Sequence, residues 1–268
     1  MKRILVAVAI VIIAVIASLA ATAGGALGPL FDGVRSLAEF YLFNVFNAHN
    51  ATLTAMSPEA VTSIVWDYRG LDTLFETVVF YMAIIGCVAL YRGIELVKDG
   101  PEVGLSRIVK TVTKILIVVN IAVAASIALH GHLTPGGGFQ AGAAMAVAPI
   151  IIIVVFSRFF LMKRGVTKEV ALSLRSMGLL GIALVALIPL VAWAATGTVA
   201  YVMQNQVKID SSFSFPAYIG NALVSGSLIW YNIFEFLAVT FGFTIVFLLL
   251  SVDEKTVKNA LRGEEHEH

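Results

Sequence analysis

Six apolar stretches, each close to the length of a membrane crossing, constrain this chain more than any motif in it. They lie near residues 4–24, 72–92, 108–130, 138–160, 175–196 and 228–250. A helix rising about 1.5 Å per residue needs about 20 residues to cross a hydrocarbon core roughly 30 Å thick. Runs of that length favour helices over barrel strands, because a helix satisfies its backbone amides internally where no water is present. Composition agrees. Of 268 residues, 59% are hydrophobic and only 13% charged, whereas a soluble domain carries about 25% charge. The predicted fold class is an all-α integral membrane protein with about six transmembrane helices, multi-pass in the cell membrane.

The first stretch follows two basic residues and ends in small ones, "MKRILVAVAIVIIAVIASLAATAGG". That pattern imitates a signal peptide, but the uncharged run from Ile4 to Thr22 exceeds a typical signal core, so it reads as a first membrane helix with cleavage as the alternative. Lysine and arginine set the expected orientation. With the N-terminus cytoplasmic, 15 basic residues fall in inner segments and three, Arg35, Arg69 and Lys208, in outer ones. Both termini are therefore expected inside. A net charge of +1 offers nucleic acid no electrostatic hold, and the single cysteine, Cys87, leaves no intrachain disulfide or four-cysteine cluster. No cofactor and no metal site are expected.

The inner loop "KDGPEVGLSR" carries Gly100 and Pro101, which halt a helix. It divides the chain into a two-span module, 1–100, with a long outer loop, a four-span module, 101–252, and a charged tail, 253–268. Two outer connections are long. Residues 25–71 carry "LAEFYLFNVFNAH", suited to lying at an interface, and residues 197–227 carry "SSFSFPAYIGNALVSGS", suited to a short interfacial or re-entrant helix. No internal repeat is evident.

Polar residues near or inside the spans are the candidates for chemistry. "LHGHLTPGGGFQAG" sets His130, His132, Pro135 and three glycines, Gly136, Gly137 and Gly138, ahead of Phe139 between the third and fourth spans. Glycine accepts backbone angles that other residues resist, so this turn can bring two helices close or aim bare amides at an ion. A plain structural hairpin is the alternative. In "VWDYRGLDTLFETVVF", Asp72 and Glu76 share a helix face at i, i+4, and Asp67 is placed to pair with Arg69. A relay site and an interfacial cap cluster both fit. Glu235 lies about seven residues into the last span, roughly 10 Å deep, with Asn232 on the same face. Ionisable groups at such depth face protein or water. Lys114, with Lys110, either snorkels to the surface or tunes a proton path through Asn120 toward His130. Pro149 should bend the fourth span. No nucleophile triad, phosphate loop or metal-ligand cluster is present, so bond chemistry by this chain alone is not expected.

These residues carry a resemblance. "LHGHLTPGGGFQAGAAMAVAPII" resembles the signature of the B subunit of multisubunit Mrp-type cation/proton antiporters, and the region from about 103 to 250 fits that subunit in length and topology. "DYRGLDTLFETVV" resembles the C-terminal piece of the Mrp A subunit, with Phe75 standing where a glycine is expected before the glutamate. In archaeal membrane-bound hydrogenases and sulfane sulfur reductases the two pieces look like adjacent small subunits, which this chain joins. The resemblance implies a non-catalytic membrane subunit of a large redox-driven complex, with other Mrp-like subunits, sodium ions and protons as partners. It directs interest to Asp72, Glu76, His132 and the turn from Pro135 to Phe139.

The expected function is coupled sodium/proton translocation, with Glu76 and Glu235 facing a hydrated interior. The alternative is a scaffold that packs antiporter-like subunits without carrying ions. A stand-alone transporter lacks support, since neither a repeat nor paired broken helices are evident.

Overall fold

The computed structural model describes residues 2–24, 33–94, 96, 98–101 and 104–258, with the backbone alone for Lys2 and Arg3. The part of the charged tail beyond residue 258, with Arg262, lies outside the described residues. In chain order the helices are α1 (Lys2–Ala23), α2 (Ser36–Val45), α3 (Ala60–Ser63), α4 (Gly70–Leu90), α5 (Arg107–His130), α6 (Gly138–Val155), α7 (Arg158–Lys163), α8 (Lys168–Thr196) and α9 (Leu228–Leu250). A π-helical turn, Ile64–Tyr68, joins α3 to α4. Six of these helices, α1, α4, α5, α6, α8 and α9, are long and apolar enough to cross a membrane. The protein is a multi-pass membrane protein.

The chain forms two compact units, one up to Phe40 and one from Tyr41 onward. The first contains α1, apolar on every face. In the second, α9 is central. It packs along α8 on one side and α6 on the other, α5 lies against α6, and α4 leans on α9. Lipid is as apolar as leucine, so helices in a bilayer gain little from hydrophobic burial and associate through close packing of small residues. Two pairs of glycines provide it. A methyl group on Gly142 of α6 would lie 2.6 Å from Val239 Cβ, and one on Gly178 of α8 would lie 2.6 Å from the Phe234 carbonyl. Gly138 and Gly181 meet α9 as closely. Half of the α9 span is consequently buried.

Two span limits differ from expectation. The fourth stops at Val155, not near 160, because the chain breaks at Ser157, whose backbone turns to φ 145° and whose hydroxyl accepts from the Phe160 amide at 3.2 Å to start α7. The fifth begins at Lys168, well before 175, because the Thr167 hydroxyl caps it by accepting from Val170 N at 3.4 Å. Pro149 sits inside α6, which runs on as helix to Val155.

The segment 197–227 holds no helix, contrary to expectation. It carries a two-stranded hairpin, β1 (Tyr218–Ile219) and β2 (Ala222–Leu223). The turn between them is Gly220–Asn221, with Gly220 at φ +59°, the positive angle such a two-residue turn demands and a glycine supplies freely. Three connections meet on one end of the bundle, here called the turn face. Asn205 is fully buried there. Its side chain donates to the Ala55 carbonyl at 2.9 Å and accepts from the Ser227 amide at 2.9 Å. Ser57 and Thr62 donate to the carbonyls of His132 and Gly131, each at 2.6 Å.

Gly178→Val should force α8 and α9 apart and lower unfolding stability in micelles by about 1–3 kcal/mol. Gly86→Ala, where an added methyl meets nothing within 4 Å, should leave the same unfolding curve nearly unchanged.

Candidate functional site

Glu235, Asn232 and Glu76 converge beneath the turn face on one cavity of about 230 Å³. Its walls come from the π-helical turn, α4, the glycine turn and α9. Glu235 enters from α9 and is buried, 6% exposed. The Trp66 indole N–H donates to Glu235 Oε2 at 3.3 Å. Trp66 is itself held by the Tyr231 ring, stacked at 4.5 Å and 7°. From the other side the glycine turn presses its backbone on α9. The Gly138 amide donates to Asn232 Oδ1 at 3.3 Å, and a methyl on Gly138 would lie 2.7 Å from Glu235 Oε2. Only glycine admits that approach, so Gly138 serves the carboxyl by having no side chain. Asn232 Nδ2 is buried with no hydrogen-bond partner. Phe80, Phe139 and Phe243 pack on one another at centroid distances of 5.3–6.4 Å beside the cavity.

Glu76 lines the same cavity but is exposed, at its rim. It also borders an open groove along α4 with Asp72, Phe75 and Val79. A carboxyl inside, from α9, and another at the mouth, from α4, border one recess. Such a pair can pass a proton or hold a small cation.

The other predicted residues stand apart. Asp72 is exposed and pairs with Arg69, and it does not line the cavity. This corrects the expected Asp67–Arg69 pair: Arg69 precedes the first turn of α4 and reaches forward to Asp72, while Asp67 points into the protein. Lys114 is exposed on α5 and borders no part of the cavity. His130 is exposed, its Nδ1 3.1 Å from the Ser126 carbonyl within its own helix. His132 is buried, with Nε2 3.0 Å from the Leu223 carbonyl, so it donates there and fastens the β-hairpin to the glycine turn. Burial pushes its pKa below the ordinary histidine value. Asn120 donates to the Ala144 carbonyl at 3.1 Å, tying α5 to α6. Among the described residues no group of three or more His, Cys, Asp or Glu could hold a metal ion.

Sequence reasoning missed Trp66, Tyr231 and the burial of Asp67. The Asp67 side chain is 1% exposed, and its nearest cation is Lys208 Nζ at 3.9 Å, too far for a hydrogen bond. Burial raises its pKa to about 6, with Lys208 opposing the shift. A signal was present: Lys208 is one of only three basic residues in the segments read as outer.

A family model for domains related to the MnhB subunit of Na+/H+ antiporters matches residues 108–245. An uncharacterized protein of Methanocaldococcus jannaschii is 28% identical over 228 residues, covering 78% of this chain and 82% of the relative. Two solved structures share the fold. A chain of the membrane-bound sulfane sulfur reductase, an archaeal respiratory membrane complex, aligns with a TM-score of 0.57 at 24% identity, covering 93% of this chain and 97% of that one. A chain of the Mrp complex from Dietzia sp. DQ12-45-1b aligns with a TM-score of 0.61 at 17% identity, covering 95% of this chain and 26% of that one.

The Asp67 carboxyl yields a pH prediction. It binds its proton more tightly folded, near pH 6, than unfolded, near 3.8. Stability should therefore be greatest below pH 3.8 and fall by roughly 3 kcal/mol as pH rises through 6. Asp67→Asn should remove that slope, so the variant gains on the wild type between pH 4 and 6 in micelle unfolding. Parallel curves would contradict the assignment.

Proposed function

The chain belongs to the family of domains related to the MnhB subunit of Na+/H+ antiporters, and from that premise we propose that it is a membrane subunit of a Mrp-like antiport module within a larger respiratory complex, where it contributes to coupled sodium/proton translocation. One observation carries this reading: Glu235 and Glu76 border a single cavity, the first buried and the second at its open rim. A carboxylate held in an apolar span costs about 2.5–3.5 kcal/mol on insertion scales. A scaffold has no use for two of them on one recess. Exchange of a proton or sodium ion between them gives both a role.

The two-module organisation belongs to the same proposal. The family match falls within residues 101–252. The joined A-subunit-like piece, 1–100, rests on the stretch "DYRGLDTLFETVV". The lysine and arginine asymmetry favours a turn face directed outward. The chain has no catalytic role here and depends on partner subunits for any redox step.

A scaffold role has its own observation in favour. Ile115, Leu116, Val119 and Val123 leave an apolar face of α5 exposed, suited to another subunit. The two readings part at the carboxyls. In the complex reconstituted in liposomes, Glu76→Gln and Glu235→Gln should each lower sodium-driven proton movement on the order of tenfold, the effect of losing about 1.4 kcal/mol, with assembly intact on native gels. Full transport in both variants would leave the scaffold. Purification of the native complex should bring down further Mrp-like membrane subunits together with a redox arm.

A further inference from the structure

Another buried carboxyl, that of Asp67, lies on the turn face outside the cavity just described. Asp67 borders a separate pocket of about 390 Å³, lined also by Arg69, Asp72, Tyr201, Gln204 and Lys208. Its Oδ2 is fully buried and accepts no hydrogen bond. Lys208 Nζ stands 3.9 Å away and is itself only partly exposed. Tyr231, from α9, lies within electrostatic reach of Asp67, and its hydroxyl is likewise buried with no hydrogen-bond partner. An unpartnered buried carboxylate oxygen lining a pocket is the arrangement that a proton or a water completes.

The π-helical turn explains why this site adjoins the first. In this wider turn the side chains of consecutive residues, Trp66 and Asp67, are both buried. Trp66 borders the Glu235 cavity and Asp67 the other pocket. Such turns recur at functional sites because they redirect side chains that a regular helix would expose. Trp66 also grips both partners: its N–H holds Glu235 and its ring stacks on Tyr231.

We propose that Asp67 is a proton-exchange carboxyl on the turn face, with Lys208 as its countercharge and the Trp66–Tyr231 stack as its link to Glu235. Taking up a proton from water in the pocket turns the Asp67 carboxylate into a neutral acid able to donate, and frees Lys208, which stays protonated. The released lysine then turns toward Asp72 or solvent. The groups facing Asp67 are Lys208 from the 197–227 segment, Tyr231 from α9, and Tyr68 from its own turn. Arg69, Asp72 and Tyr201 share its pocket. Burial favours the acid and outweighs Lys208, which favours the carboxylate, so the Asp67 pKa is raised to about 6. The link to Glu235 rests on the translocation reading; the proton site itself does not.

Infrared difference spectroscopy of the full chain in lipid nanodiscs, stepped between pH 5 and 8, tests it. The expected result is a neutral-carboxyl band that vanishes with rising pH and is missing from Asp67→Asn. Lys208→Met should move its midpoint upward by about one unit or more, as loss of an opposite charge at that distance does. A band that Asp67→Asn leaves unchanged, or a midpoint that Lys208→Met leaves in place, would overturn the assignment. In the reconstituted complex, Asp67→Asn should shift the pH profile of transport, and Trp66→Phe should shift it the same way. An unmoved profile alongside impaired Glu76→Gln and Glu235→Gln variants would sink the link alone. Unimpaired glutamate variants would sink the translocation reading, while the infrared titration still decides Asp67.

Discussion

Everything near the turn face depends on how a carboxyl is kept inside a membrane helix. Glu235 cannot rely on bulk water, so protein dipoles must replace it. The Trp66 N–H supplies one, and the backbone of the glycine turn supplies the closeness that allows others. That need propagates outward. A bulkier residue at Gly138 would push α6 from α9. Without the π-helical turn Trp66 would not reach inward. The stacked Tyr231 ring helps fix the plane of the indole. The bundle is tight along α9 where glycines meet it.

The turn face is built as a clasp. Ser57, Thr62 and Asn205 join segments far apart in the chain through hydrogen bonds to backbone carbonyls, and His132 adds the hairpin. Two of these bonds, from Ser57 and Thr62, hold the segment just before the π-helical turn against the turn between α5 and α6. The same fold is found in a chain of an archaeal respiratory membrane complex and in a chain of a Mrp complex.

Much of this was legible in sequence because spans announce themselves by length and apolarity. Glu235, Glu76 and the glycine turn stood out because polar or flexible residues in a greasy run have few reasons to be there. Their convergence on one cavity was not readable, since it depends on helix order and rotation. Asp67 was misread because its neighbour Arg69 offered a simpler partner; the actual cation, Lys208, is 141 positions later. The hairpin at 218–223 was mistaken for a helix because its apolar residues outweighed the Gly220–Asn221 turn signal. Trp66 drew no notice because an aromatic near a span end usually marks the interface, whereas here the π-helical turn carries it inward.

Reactivity of Glu235 toward a hydrophobic carbodiimide tests the central claim most directly. These reagents modify protonated carboxyls in apolar surroundings, and mass spectrometry of the digested complex assigns the adduct to its peptide. An ion-carrying Glu235 should be modified, and sodium should slow the reaction by competing for the same oxygens. Modification at a rate indifferent to sodium, or none at all, would contradict an ion-carrying role and leave Glu235 as a fixed strut between helices.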